Sequence, residues 1–330
     1  MAPAAPQADA RPRASVLLLC FRDRDFIDAA FAAALAQTVP CEILVSSDAS
    51  DDGTGERVQQ LAAGYAGPHV LRLRRNERNL GVSGHVNATV PLTTGEVVVM
   101  MAGDDISDPC RVERVLAAFD AHPGVAALAS DFDGIDAAGA PVAVRFDRGR
   151  ERFGLAEFVA SGKLIGLLGA SLAFRREVFE RFGPIRGPIE DNALALRAAL
   201  LGDCMNLREK LIRYRQHGDS VSSGVFARHE ARAQARRRRY ERTIAFYRGT
   251  ADDLAHCIGQ LPGLEGQRLR DARDLLAMYR LEADAREAIL LRPRRQWLGP
   301  ISRGLMQRGL RRKSAERALK LLLPRRWLGL

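Results

Sequence analysis

Aromatic residues make up only 6% of this 330-residue sequence, and no apolar run is long enough to cross a bilayer. The longest uncharged apolar stretch, Leu164–Phe174, falls well short of the ~20 residues a spanning helix needs. Cysteine is scarce and unpatterned. Cys20, Cys41, Cys110, Cys204 and Cys257 are odd in number and far apart, with no CxxC spacing. That excludes a disulfide framework and the usual zinc spacings, and it fits a reducing compartment. A secretory leader is not expected either. Residues 1–14 are rich in Ala and Pro and read as disordered, and the apolar run Val16–Cys20 is short and followed at once by charge.

Ala, Leu and Arg are abundant, and the 47% hydrophobic content suffices for one large domain or two modest ones. The formal charge of +10 is unevenly placed. Residues 225–330 hold 25 Lys/Arg against 11 Asp/Glu, a net of +14, which leaves about −4 for the first 224. A roughly neutral body therefore carries a basic tail, suited to an anionic surface.

The chain is organised around Val97–Asp108. Five apolar residues, Val97 to Met101, run unbroken between Gly95-Glu96 and Gly103, as in a buried parallel strand. The run ends in Asp104 and Asp105. Beyond the carboxyl end of such a strand, an acidic pair can hold a hard divalent cation together with substrate phosphates. The alternative is that the two acids cap a turn or the helix after Pro109.

Before this stretch, strands and helices alternate. Ser15–Phe21 reads as a strand, and Phe26, Ile27, Ala30, Phe31, Ala34 and Leu35 recur at helical spacing. A strand at Glu42–Ser46 runs into a polar loop ending at Thr54, and a helix follows to Ala63. His69–Leu73 is a short strand, Asn79–Gly84 a glycine-punctuated turn, and Val86–Pro91 a helix. This rhythm predicts a parallel sheet covered on both faces, with its polar loops on one rim. Farther on, Ala126–Ser130 reads as a strand and Asp136–Gly139 as a hairpin turn.

The order of these pieces resembles the family 2 glycosyltransferases of the GT-A fold. The resemblance rests on Ser15–Arg22, Glu42–Thr54, Asn79–Gly84 and Gly103-Asp104-Asp105. It continues through Gly169–Arg176, Ile189-Glu190-Asp191-Asn192 and Tyr214–Ser222, and so covers roughly residues 14–224. It implies an α/β fold with a Rossmann-like, mostly parallel sheet flanked by helices. The division implied is a disordered tail over 1–13, a catalytic domain over 14–224 and a basic helical region over 225–330.

The activity implied is transfer of a sugar, with inversion, from a nucleotide-diphosphate donor to a hydroxyl of a glycan or lipid-linked acceptor, in surface polysaccharide or lipopolysaccharide assembly. A divalent metal, Mn²⁺ or Mg²⁺, would offset charge on the leaving diphosphate. By the family pattern Asp104 is the last carboxylate of the Asp-x-Asp motif and the metal ligand, with Asp105 supporting it. His217 would complete the metal or diphosphate site. Asp191 would be the base and Glu190 its acidic neighbour at a helix start. Phe21 and Asp48 would meet the nucleotide base, and Gly81 and Gly84 would let backbone approach the donor. The sequence departs from the pattern at Ala102, Ser47 and Val86, where many relatives carry Asp, Asp and Arg. Arg22, Arg75 or Arg78 would then supply the missing positive charge. Two rivals stand beside this reading. One is a degenerate scaffold that has lost those contacts. The other is a nucleotidyltransferase, disfavoured because no Gly-rich basic loop follows Cys20.

From Ala288 to Leu330 the chain holds 12 basic residues and one acid, Glu316, interleaved with Trp297, Leu298, Leu305, Met306, Leu310 and Trp327. Such a composition suits an interfacial helix on an anionic membrane. It equally suits a helical appendage packed on the body or on a second subunit. Helices are expected over Val225–Arg248, Asp252–Cys257 and Leu269–Leu291. Nothing marks nucleic-acid binding. The location expected is cytoplasmic, on the inner membrane face if the tail docks there.

Overall fold

Unbroken apolar runs place the first strands at the centre of a sheet. The computed structural model describes residues 12–144, 146, 149–161, 167–217 and 233–321. Strand β1 (Ala14–Cys20) lies between β2 (Glu42–Ser47) and β4 (Val97–Ala102), parallel to both, and β3 (Val70–Arg75) pairs parallel with β2 at the edge. Helices α1 (Ile27–Leu35), α2 (Thr54–Ala62) and α3 (Gly81–Thr89) make the crossovers. Alternation along β1 fills two layers. Val16 and Leu18 pack with Ile27 and Phe31 on one face, and Leu17 packs in a core shared with Val86 and Leu194 on the other.

The second half of the sheet is mixed. Helix α4 (Arg111–Ala121) leads to β6 (Val125–Ile135), and β8 (Leu172–Arg175) runs antiparallel between β4 and β6. Strand β9 (Asp203–Arg215) is parallel to β6, with register shifts around Ser130 and Asp131. Two short strands, β5 (Ile106–Ser107) and β7 (Arg152–Phe153), pair antiparallel with β9. The order across the sheet is β3-β2-β1-β4-β8-β6-β9-β5. Helices α5 (Leu155–Ser161), α6 (Glu177–Glu180) and α7 (Glu190–Leu201) complete this part. The hairpin turn forms where expected, with the Gly139 N–H donating to the Asp136 carbonyl.

Helix α3 starts five residues earlier than the sequence pattern suggested. The cause lies on another strand: the buried Asp48 carboxylate accepts the N–H groups of Leu80 at 3.0 Å and of Gly81 at 3.0 Å. A distant acid thus satisfies donors that a helix start leaves open. Gly81 takes φ +69° there, a conformation glycine adopts without strain.

The described residues of the basic region form α8 (Ala233–Gly259), α9 (Gly266–Leu291), α10 (Leu298–Met306) and α11 (Arg311–Lys320), while residues 225–232 of the helix expected from Val225 lie outside the described residues. Asp252–Cys257, expected as a separate helix, is the last part of α8. The helices share the body's core, since Phe246, Tyr247, Leu275 and Met278 belong to the same apolar cluster as Leu17 and Leu194. A buried ion pair joins α7 to α8, with Arg197 donating to Asp253 at 2.9 Å and 2.6 Å. Glu282 of α9 is buried against Arg286 at 2.6 Å, Arg317 at 2.7 Å and Lys313 at 3.6 Å. Trp297 and Leu310, grouped by sequence with membrane-facing residues, are fully buried instead. Leu298, Leu305 and Met306 are exposed, while Trp327 lies outside the described residues. No helix among the described residues is long and apolar enough to cross a membrane.

Candidate active site

The rim where β1, β2 and β4 end collects the acids. Asp104 follows β4 with its side chain 21% exposed, and His217 Nε2 lies 3.0 Å from its Oδ2. Arg215, at the end of β9, fixes this loop. Its Nε donates to the Asp104 carbonyl at 2.8 Å, and its Nη1 donates to the carbonyls of Asp136 and Ala137, each at 3.0 Å. The Arg215 guanidinium also sits 4.8 Å from the centre of the Phe26 ring, and the His217 ring lies 4.9 Å from the same ring. One aromatic ring therefore backs both residues that touch Asp104.

Asp105 points the other way. Its Oδ1 accepts the Arg215 N–H at 2.7 Å, and the carboxyl is buried. Burial first, and then the neighbouring Asp104 charge, push its pKa well above the ordinary range. Asp105 thus ties the end of β9 to the loop that presents Asp104.

Sequence reasoning did not single out Asp23, which belongs to this rim. Its carboxylate accepts the Phe21 N–H at 2.9 Å and lies so close to Gly103 that a β-carbon there would overlap it. Burial, then the charge of Asp104, pushes the Asp23 pKa up to about 7. Only its place among the charges Arg22-Asp23-Arg24-Asp25 marked it, and that pattern is common in solvated loops.

Asp48 uses its carboxylate within the fold, since Asn76 Nδ2 donates to it at 2.7 Å alongside Leu80 and Gly81. It therefore sets the height of the glycine turn beside the rim. Phe21 is 42% exposed, with the Arg22 guanidinium 5.4 Å from its ring centre. Arg22 makes a two-pronged contact with Asp51, at 2.8 Å on each oxygen, and Arg75 pairs with Glu56 at 2.7 Å. His85 and His69 are structural. His85 Nε2 meets Ser46 Oγ at 2.7 Å, and His69 bridges the Cys41 N–H and the Leu35 carbonyl.

The second acidic locus is the first turn of α7. Asp191 accepts the N–H groups of Asn192, at 2.5 Å, and of Gly169. Gly169 eases that approach, because a β-carbon there would stand 3.3 Å from Asp191 Oδ2 and 3.4 Å from Glu190 Oε1, a tight contact. The turn Gly169–Ser171 also packs against β4, the strand that delivers Asp104. Burial raises the pKa of both acids, and the charge of Asp191 raises that of Glu190 further. A carboxylate held ready near neutral pH suits proton abstraction. The C-terminal helices reach this turn, since the Tyr279 hydroxyl of α9 lies 3.5 Å from Asn192 Oδ1.

Among the described residues no three His, Cys, Asp or Glu side chains converge as a metal site. Asp104 Oδ2 and His217 Nε2 lie 3.0 Å apart, a set of one carboxylate and one imidazole, both groups able to bind a divalent cation. That set fits a divalent cation which takes its remaining ligands from phosphate oxygens and water, as small hard cations commonly do.

The sequence profile described as Glycosyl transferase family 2 matches residues 15–183. An uncharacterized glycosyltransferase of Nostoc sp. is 28% identical over 238 residues, which is 67% of this chain and 71% of that protein. The putative glycosyltransferase EpsE of Bacillus subtilis is 32% identical over 81 residues, 24% of this chain and 28% of its own length. Among solved structures, S. aureus TarS 1-349 in complex with UDP-GlcNAc superposes with a TM-score of 0.58 at 16% identity, covering 88% of this chain and 79% of that one. The mannosyltransferase PcManGT of Pyrobaculum calidifontis, in complex with GDP-Man and Mn²⁺, gives 0.53 at 18% identity, over 98% and 85% of the two chains.

Proposed function

The chain belongs to glycosyl transferase family 2 and is a glycosyltransferase of GT-A fold, and from that premise we propose an inverting transfer from a nucleoside-diphosphate sugar to an acceptor hydroxyl. The observation that carries this reading is the pairing of two acidic loci. Asp104 and His217 meet beside β4, and Glu190 and Asp191 open α7 behind a turn packed on the same strand.

In this mechanism Asp191 is the base. Its carboxylate takes the proton from the acceptor hydroxyl as that oxygen bonds to the anomeric carbon from the face opposite the donor diphosphate, and the bond from that carbon to the diphosphate oxygen breaks. Burial in the first turn of α7 keeps its proton affinity high enough for the task. Glu190 beside it stays protonated, because burial and the charge of Asp191 raise its own proton affinity. Asp104 and His217 would hold a divalent cation, Mn²⁺ or Mg²⁺, which when bound offsets the charge growing on the leaving diphosphate. Asp105 and Arg215 position the Asp104 loop. Phe21, Arg22 and the Asp48-held turn at Gly81 form the floor for the nucleotide. PcManGT in complex with GDP-Man and Mn²⁺, and TarS in complex with UDP-GlcNAc, support a donor of this class.

The acceptor class proposed is a glycan or lipid-linked glycan of cell-surface polysaccharide assembly, reached from the cytoplasmic side. Residues 14–224 form the catalytic unit in this reading and 225–330 an extension whose helices α8 and α9 buttress α7.

A thermal-shift panel of nucleoside diphosphates and their sugars, with and without Mn²⁺, tests the donor site, because a ligand bound only by the native state raises the melting temperature. The expected result is a shift with one nucleotide that requires Mn²⁺ and disappears in Asp104→Ala. No shift with any nucleotide, or sugar transfer that persists in Asp191→Asn, would overturn the reading.

A further inference from the structure

Helix α10 is anchored on one side and bare on the other. Pro300, Ile301 and Gly304 face inward, and Trp297, just before the helix, is buried with Ala288, Ile289 and Ile301. The orientation of the helix is therefore fixed. Its outward residues include Leu298, Leu305 and Met306, exposed by 57%, 42% and 75%. At helical spacing Leu298, Ser302 and Leu305 fall on one stripe with Met306 beside it. On α11, which packs against α10, Leu319 is 63% exposed. A helix docked on a core normally turns its polar face to water, and here large apolar side chains take that place.

Cations flank this stripe. Arg295 lies just before α10 and Arg311 opens α11, both exposed, and neither pairs with an acid among the described residues. Arg303, on α10 itself, comes no closer than 3.7 Å to Asp284. Residues 288–321 hold ten basic residues and a single acid, Glu316, and the sequence continues with Leu322, Arg325, Arg326 and Trp327.

We infer that α10 is an interfacial anchor that lies flat on an anionic lipid surface. Leu298, Leu305 and Met306 enter the acyl boundary while Arg295, Arg303 and Arg311 meet headgroup phosphates. Charge selects this occupant. A second copy of the same face would bring two strongly basic surfaces together. A nucleic acid would use the cations and leave the apolar stripe in water. An anionic bilayer satisfies both features at once. The anchor would hold the catalytic rim near acceptors carried in the membrane, but its binding does not depend on any activity.

The test is flotation of the full-length chain with vesicles of phosphatidylcholine and phosphatidylglycerol, or of phosphatidylcholine alone, at low and high salt. Recovery is expected only with phosphatidylglycerol, reduced by salt, because exposed charge is screened. The triple variant Leu298→Ser, Leu305→Ser, Met306→Ser should lose roughly tenfold or more of the partitioning while keeping the wild-type melting curve. Three outcomes overturn the inference: no recovery of wild type at low salt, equal recovery of the triple variant, or a wild-type dimer in sedimentation that the triple variant abolishes. Recovery lost in Arg295→Glu, Arg311→Glu as well as in the triple variant would support both halves of the anchor.

Discussion

The ring of Phe26 lies 4.9 Å from the ring of His217, whose Nε2 touches Asp104. Phe26 is a positioning residue, since it reaches Asp104 through His217 and Arg215. Phe26→Leu removes a ring contact and a cation–π contact, each worth about 0.5–1.5 kcal/mol. Mn²⁺ binding in the presence of a nucleoside diphosphate should therefore weaken roughly tenfold. His217→Ala should weaken it about 10- to 100-fold. Titration of the free Mn²⁺ resonance by electron paramagnetic resonance reads this without an activity assay, and Phe26→Tyr should restore it. Unchanged Mn²⁺ affinity in Phe26→Leu would show that the ring only fills space.

The pH profile of transfer should report the α7 acids. Both carboxyls are raised by burial, Glu190 also by the charge of its neighbour. A base works only when deprotonated, so kcat/KM should fall toward low pH through a midpoint above the usual Asp range. Asp191→Asn should cost about 10²- to 10⁴-fold in kcat. Glu190→Gln should keep most activity and leave the acid limb in place, because Glu190 is still protonated, and so uncharged, while Asp191 ionises. A limb that moves in Glu190→Gln would show that Glu190 ionises first and that the roles of the two acids are exchanged.

Asp23 gives a stability prediction with a definite sign. Its pKa rises from 3.8 unfolded to about 7 folded, so the folded state holds the proton more tightly. The stabilising effect is complete below about pH 4 and is lost as pH climbs toward 7. In a chelator, urea melts of wild type should therefore lose stability across that window, by at most about 4 kcal/mol from this group. Asp23→Asn should flatten the slope and be more stable than wild type at pH 8. A variant with an unaltered pH slope would place the titration elsewhere.

The parts of this fold that depend on local pattern were legible in the sequence. Val97–Met101 and Val16–Cys20 are buried apolar runs, and they lie in central parallel strands. The acids at the end of β4 were read from the strand they follow, and those at the start of α7 from the family resemblance alone. What the sequence did not show is pairing at a distance. Asp48 was legible as an acid in a loop, but its donors, Asn76, Leu80 and Gly81, come from the next crossover. Asp23 became visible only when β1 and β4 brought it against Gly103. Trp297 was misplaced for a related reason. Trp297 among arginines resembles an interfacial residue, yet three of the nearby cations are drawn inward by one buried acid, Glu282, and the helices close over the indole. Composition counts charges but does not show which are neutralised inside.

The same inward pairing predicts how the extension is attached. Arg197 of α7 is 1% exposed and Asp253 of α8 is 2% exposed, and each also holds backbone. Arg197 donates to the Gly183 and Pro184 carbonyls, and Asp253 accepts the Arg186 N–H. Removing one member leaves a buried charge without its partner, which costs about 3–5 kcal/mol. Asp253→Ala should lower stability by that amount in urea melts and loosen α8 from α7. Because Tyr279 and Asn192 sit on the same packed surface, the loosening should reach Asp191. At a temperature where the variant is still folded, kcat should fall while Mn²⁺ and nucleotide affinity at Asp104 stay near wild type. Equal loss at both loci would mean that the extension supports the whole rim rather than the base alone.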